Sequence, residues 1–101
     1  KSDDSVRHLK GAGRPILEAL ERAALIASLR PVSAVTIFGE PTPLEVINQI
    51  RPDVLVKGSE YEEDDIVGAR EVKSWGGRIV RVPMVPGRST SQIIDAIRKL
   101  P

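Results

Sequence analysis

The sequence predicts an α/β domain built on a parallel sheet. Amphipathic stretches alternate with short apolar runs rich in β-branched residues, which is the pattern of strands joined by crossover helices. Prolines and glycines fall at the ends of these runs, where a chain reversing direction needs them. Hydrophobic residues make up 41% of the 101 and charged residues 29%, enough apolar material for one packed domain spanning residues 1–101.

Each element has its own signal. Residues 1–15 are polar and carry no regular apolar period, so no element is predicted there. Pro15 suits the first turn of a helix, with Ile16, Leu20, Ala23 and Ala27 on one face and Pro31 ending it near Leu29 or Arg30. Ala34-Val35-Thr36-Ile37-Phe38 reads as a buried strand closed by Gly39. Thr42-Pro43-Leu44-Glu45 combines an N-cap hydroxyl, a proline at the first helical position and a glutamate three residues after the cap. That helix is expected to stop before Pro52, and Asp53-Val54-Leu55-Val56-Lys57 to form the next strand, halted by Gly58.

The acids Glu62, Glu63, Asp64 and Asp65 are expected at the N-terminus of a helix with Ile66, Ala69, Val72 and Trp75 on its inner face, stopped by Gly76-Gly77. Arg78-Ile79-Val80-Arg81-Val82, ending at Pro83, suits a strand near a sheet edge. A last helix is expected from around Ser89, with Ile93, Ile94, Ile97 and Leu100 on its apolar side. The total is three strands and four helices.

Composition narrows the function. Lys plus Arg number 15 and Asp plus Glu 14, a balance of +1 that argues against a basic nucleic-acid arm. Phe38, Tyr61 and Trp75 are the only aromatic residues, too few and too scattered to stack single-stranded bases. Without cysteine there is no disulfide, thiolate zinc site or thiol nucleophile, and His8 alone builds no multi-histidine metal site. No apolar run approaches the roughly 18 residues of a membrane span, and the first five residues are too polar for a signal peptide. A cytoplasmic location, with no membrane and no nucleic-acid partner, is the expectation.

Three segments could carry chemistry. Pro86-Gly87-Arg88-Ser89-Thr90-Ser91-Gln92 puts hydroxyls and a guanidinium at a helix start, where free N–H groups and the helix dipole favour an anion. Ser89 and Gln92 are equally explained as a capping box with no ligand. Lys57-Gly58-Ser59-Glu60-Tyr61 leaves a strand at the end where open parallel sheets bind ligands. Gly58 would admit a ligand close to the backbone, Lys57 would meet a phosphate, and Glu60 a sugar hydroxyl or base amine. The alternative there is an ordinary strand exit with a solvated lysine. Leu9-Lys10-Gly11-Ala12-Gly13-Arg14-Pro15 is a basic glycine loop able to close over a polyphosphate, or a plain linker. The acidic run from Glu60 to Asp65 reads as a solvated helix start.

Taken in order, these motifs resemble a known family. Ser2-Asp3-Asp4-Ser5-Val6, Leu9-Lys10-Gly11, Gly13-Arg14-Pro15, Arg22, Thr42-Pro43-Leu44-Glu45, Pro52-Asp53-Val54-Leu55-Val56-Lys57-Gly58, Ile66-Val67-Gly68-Ala69 and Gly87-Arg88-Ser89-Thr90 are similar to the C-terminal two-thirds of the heptose 1-phosphate adenylyltransferase domain of ADP-heptose synthase, in the cytidylyltransferase-like superfamily. The resemblance implies a Rossmann-like nucleotidyltransferase with a parallel sheet and flanking helices. It implies transfer of AMP from ATP to a sugar 1-phosphate with Mg²⁺, releasing pyrophosphate, for ADP-heptose and lipopolysaccharide core synthesis. It places Lys10 by the transferred phosphates, with Arg14 and Arg22 in support. Lys57, Gly58 and Glu60 would line the nucleotide pocket, and Arg88, Ser89, Thr90 and Ser91 would bind the nucleotide at the helix start.

The family also opens with a Gly-x-Phe-Asp segment and a His-x-Gly-His motif, and this sequence contains neither. In the family's strand order, 3-2-1-4-5, two strands lie between the one at residues 34–38 and the one at residues 53–57. The expectation is a portion of a longer enzyme, a chain completed by another polypeptide, or a homodimer rearranged by strand exchange. A catalytically silent nucleotide-binding module and a cytidylyltransferase of an alcohol phosphate are the alternative functions.

Overall fold

Two runs of β-branched residues meet as parallel strands, β1 (Val54–Gly58) and β2 (Arg78–Val82), in register from Val54 opposite Arg78 to Gly58 opposite Val82. They are the only strands in the computed structural model, which describes all of residues 1–101. The chain divides into two compact units, Lys1–Arg51 and Pro52–Pro101.

The first unit is helical. Helix α1 (Asp3–Lys10) occupies the stretch for which no element was expected. Apolar period is not what makes it. Ser2 Oγ accepts the Ser5 N–H at 3.3 Å, and Asp3 and Asp4 lie in the first turn while Arg7, His8 and Lys10 lie in the last. Both charge sets complement the helix dipole, and Gly11 at φ 98° ends the helix with its N–H on the Arg7 carbonyl. Helix α2 (Ala19–Ala27) begins four residues after Pro15 rather than at it. Its first N–H is capped from another helix, Ala19 N–H donating to Asp3 Oδ2 at 3.1 Å. The predicted apolar face of α2 is not buried, and Leu20 is 78% exposed.

Helix α3 (Leu44–Ile50) follows its signal with a shift of one residue. Pro43 takes the cap position instead of the first helical one, with Thr42 Oγ1 at 3.5 Å from Leu44 N. Arg51, at φ 52° in the left-handed region, ends the helix ahead of Pro52. Ile47 is buried.

Residues 34–38 do not form the expected strand. Apolar β-branched residues are strand-compatible, but a strand exists only as a member of a ladder. Here the backbone finds a single-point contact instead, Ser2 N–H donating to the Phe38 carbonyl at 2.7 Å, and Val35 and Ile37 are exposed.

The second unit is a strand–helix–strand crossover followed by a helix. Between the strands lie a 3₁₀ turn, Glu63–Asp65, and helix α4 (Ala69–Ser74), which packs on both strands. Ile66, Ala69 and Val72 form the core, as their spacing predicts. The acids stand apart from that helix, contrary to expectation. Gly68, at φ 89°, breaks the backbone between them and Ala69, and Glu63 and Asp64 instead reach Lys73 Nζ at 2.8 and 3.8 Å. Trp75 Nε1–H donates to the Pro52 carbonyl at 2.9 Å, fastening the helix end to the start of β1. Helix α5 (Thr90–Arg98) has the predicted capping box between Ser89 and Gln92. None of its residues is buried, so the Ile93, Ile97 and Leu100 face is exposed as well. No helix is long and apolar enough to cross a membrane.

Candidate functional site

The carboxyl ends of β1 and β2 lie side by side, and the segment leaving β1 is tied to β2. Ser59 N–H donates to the Val82 carbonyl at 2.8 Å, extending the ladder by one bond past Gly58. Arg81 Nη1 donates to the Tyr61 carbonyl at 3.1 Å and stands 3.8 Å from Glu62 Oε2. These bonds hold Lys57-Gly58-Ser59-Glu60-Tyr61 as a defined rim. On it, Lys57 Nζ lies 5.3 Å from the centre of the Tyr61 ring, within cation–π range.

Gly58 allows a close approach by a side chain. A Cβ there would fall 2.6 Å from Met84 Sδ, 3.7 Å from Met84 Cε and 3.8 Å from Glu60 Oε1. Met84 and Glu60 therefore converge on the face of Gly58 that bears no side chain. Met84 was absent from the residues read as a site in the sequence. Its signal was positional: it follows β2 by two residues, at the same end of the sheet as Gly58, whose register partner is Val82.

At the start of α5, Ser89 Oγ accepts the Gln92 N–H at 3.1 Å, and Gln92 Oε1 accepts the Ser89 N–H at 3.1 Å. Ser89 thus serves as the cap. Thr90, Ser91 and Arg88 flank it, all exposed.

The remaining predicted residues belong to the first unit. Lys10 is the last residue of α1 and is exposed; Arg14 lies in the loop that follows. Arg22 is engaged at several points, donating from Nη1 to Asp3 Oδ1 at 2.8 Å and to the Leu17 carbonyl at 2.6 Å, and from Nη2 to the Lys1 carbonyl. The Ala19 N–H, and after it Arg22, hold the Asp3 carboxyl below its ordinary 3.8. Arg22 therefore braces both ends of the segment carrying Lys10 and Arg14. No group of three or more His, Asp or Glu side chains is placed to hold a metal ion.

A parallel strand pair with a helical crossover, bearing a polar rim at its carboxyl end, defines a piece of Rossmann-like α/β architecture. The chain is 54% identical over 93 residues to the "Bifunctional protein HldE" of Methylobacillus flagellatus, and 53% identical over 97 residues to that of Acidiphilium cryptum. To the protein of the same name in Gluconobacter oxydans it is 47% identical over 100 residues. These alignments take in 92%, 96% and 99% of this chain but only 19%, 20% and 21% of the relatives, so the chain spans about a fifth of their length. No protein-family profile matches it.

Proposed function

We propose that the chain supplies the nucleotide-facing part of an adenylyltransferase acting on heptose 1-phosphate. A phosphate oxygen of the sugar 1-phosphate attacks the α-phosphorus of ATP, the new P–O–P bond forms, and the α–β bond breaks to release pyrophosphate. Such a transfer asks for alignment and charge neutralisation more than for covalent help from the protein. The observation that carries the reading is the near-complete coverage of this chain at about half identity by proteins named Bifunctional protein HldE.

In this reading Lys57, Gly58 and Glu60 receive the nucleotide, and Arg88, Thr90 and Ser91 meet its phosphates around the Ser89 cap. Lys10 approaches the transferred phosphates with Arg14. Arg22 supports them by bracing the Lys10–Arg14 segment through Asp3, Leu17 and Lys1. The product is ADP-heptose for lipopolysaccharide core synthesis, made in the cytoplasm. The partners are ATP, the sugar phosphate and either a second copy or a chain supplying the family's N-terminal segment. Mg²⁺ would accompany ATP and neutralise its phosphates.

A second reading is a nucleotide-binding module without chemistry; the one histidine of this chain, His8, sits within α1. Incubating the chain, supplied with the family's N-terminal segment, with ATP and heptose 1-phosphate or with CTP and an alcohol phosphate, and measuring pyrophosphate, separates the readings. Pyrophosphate with ATP supports the adenylyltransferase; pyrophosphate with CTP alone assigns a cytidylyltransferase. ATP binding without turnover supports the silent module, and neither binding nor turnover removes both readings.

A further inference from the structure

Met84 lies in a place its chemistry does not explain by packing alone. Its Sδ and Cε lie over Gly58, where a Cβ would fall 2.6 and 3.7 Å from them, yet the residue is 54% exposed. A thioether cannot donate a hydrogen bond and accepts one weakly, so it has little to offer a phosphate or a sugar hydroxyl. It is polarisable and packs well against a flat ring. Beside it stands a group of the opposite character, Glu60 Oε1, 3.8 Å from the same Cβ position. An apolar surface set within a charged rim at the carboxyl end of parallel strands fits the one part of a nucleotide that is flat and apolar-faced, its base.

We infer that Met84 is a base-binding residue of the nucleotide site: its thioether, seated on the bare backbone of Gly58, forms the floor against which the base packs, with Glu60 beside it. This rests on the nucleotide reading above. Gly58 then serves to let Met84 lie flat, and the ligand meets the thioether rather than the Gly58 backbone.

The chain contains a single methionine, so its ε-methyl carbon and protons give one NMR signal that needs no assignment. Titration of the full chain with ATP is expected to shift that signal through the ring current of the base, whereas tripolyphosphate, which has no base, leaves it in place. Covering the thioether with a base removes apolar area from water, so Met84→Ala is expected to weaken ATP about five- to tenfold while leaving tripolyphosphate within about twofold. Met84→Leu, which keeps the apolar volume, restores ATP binding. An unmoved methyl signal while other resonances report ATP binding overturns the inference, as does an unchanged ATP Kd in Met84→Ala. If neither ATP nor tripolyphosphate binds the unsubstituted chain, the nucleotide reading itself fails and takes this inference with it.

Discussion

Arg22 reaches back across 19 residues to place its Nη1 2.8 Å from Asp3 Oδ1, joining the start of α1 to α2. The other Asp3 oxygen accepts the Ala19 N–H, so one carboxylate both caps a helix and anchors a guanidinium.

The stability this carboxylate contributes depends on pH. The Asp3 carboxyl is held below its ordinary 3.8, so its contribution is present above that value and is lost as pH falls through the lower folded value. Asp3→Asn keeps the size of the side chain and removes the titration. Unfolding followed along the acid limb is expected to show the unsubstituted chain losing its advantage over Asp3→Asn as pH drops below 3.8. Parallel curves would show that Asp3 does not sense folding.

Gly77 is the tightest glycine in the second unit. A Cβ there would meet Val72 Cγ1 at 2.5 Å and the backbone oxygens of Asp53 and Val72 at 2.9 and 3.0 Å. Backbone cannot step aside as a flexible side chain can. Gly77→Ala is expected to lower stability by about 1–3 kcal/mol in chemical denaturation. Gly76→Ala meets no atom within 4 Å and is penalised through its φ of 86° instead.

Val72 is fully buried between α4 and the strands, whereas Leu25 on α2 is 58% exposed. Truncation to alanine should therefore separate them despite the larger side chain of leucine. Val72→Ala is expected to cost about 1–3 kcal/mol and Leu25→Ala under about 0.5 kcal/mol. Equal losses would mean that the α2 face is covered in solution.

Ser89 is the cap of α5, and its hydroxyl accepts the Gln92 N–H. Ser89→Ala is expected to destabilise that helix by about 1 kcal/mol. Faster hydrogen exchange at the Gln92 amide is the readout, and an unchanged rate would remove the cap from the account.

Lys57 Nζ stands 5.3 Å from the centre of the Tyr61 ring, and in the proposed function it meets the nucleotide phosphates. A charge-assisted hydrogen bond is worth about 1.5–3 kcal/mol, so Lys57→Ala is expected to weaken ATP by at least about tenfold. Calorimetric titration checks this, and unlike Met84→Ala it should weaken tripolyphosphate as well.

The two strands, the core residues Ile66, Ala69 and Val72, the stop at Pro52 and the capping box at Ser89 were legible because each depends on local chemistry. The strand-exit rim was legible for the same reason, since Gly58 closes a run of β-branched residues. Helix α1 has no apolar period to announce it, although Ser2, the paired acids and Gly11 spell out its two ends. The split between the acids and α4 turned on Gly68 adopting a positive φ, which its neighbours did not announce.

What the sequence determined by itself was local: where helices and strands start and stop, through proline, glycine, capping hydroxyls and β-branched runs. Whether an apolar run becomes a strand, and whether an amphipathic face becomes core, depended on the partner the fold supplies. Residues 54–58 found β2 and became a strand; residues 34–38 found no ladder and did not. The same dependence brought Asp3 to Ala19 and Arg22, and Met84 to Gly58, since hydrogen bonds and close approaches across such separations exist only after the chain has folded back on itself.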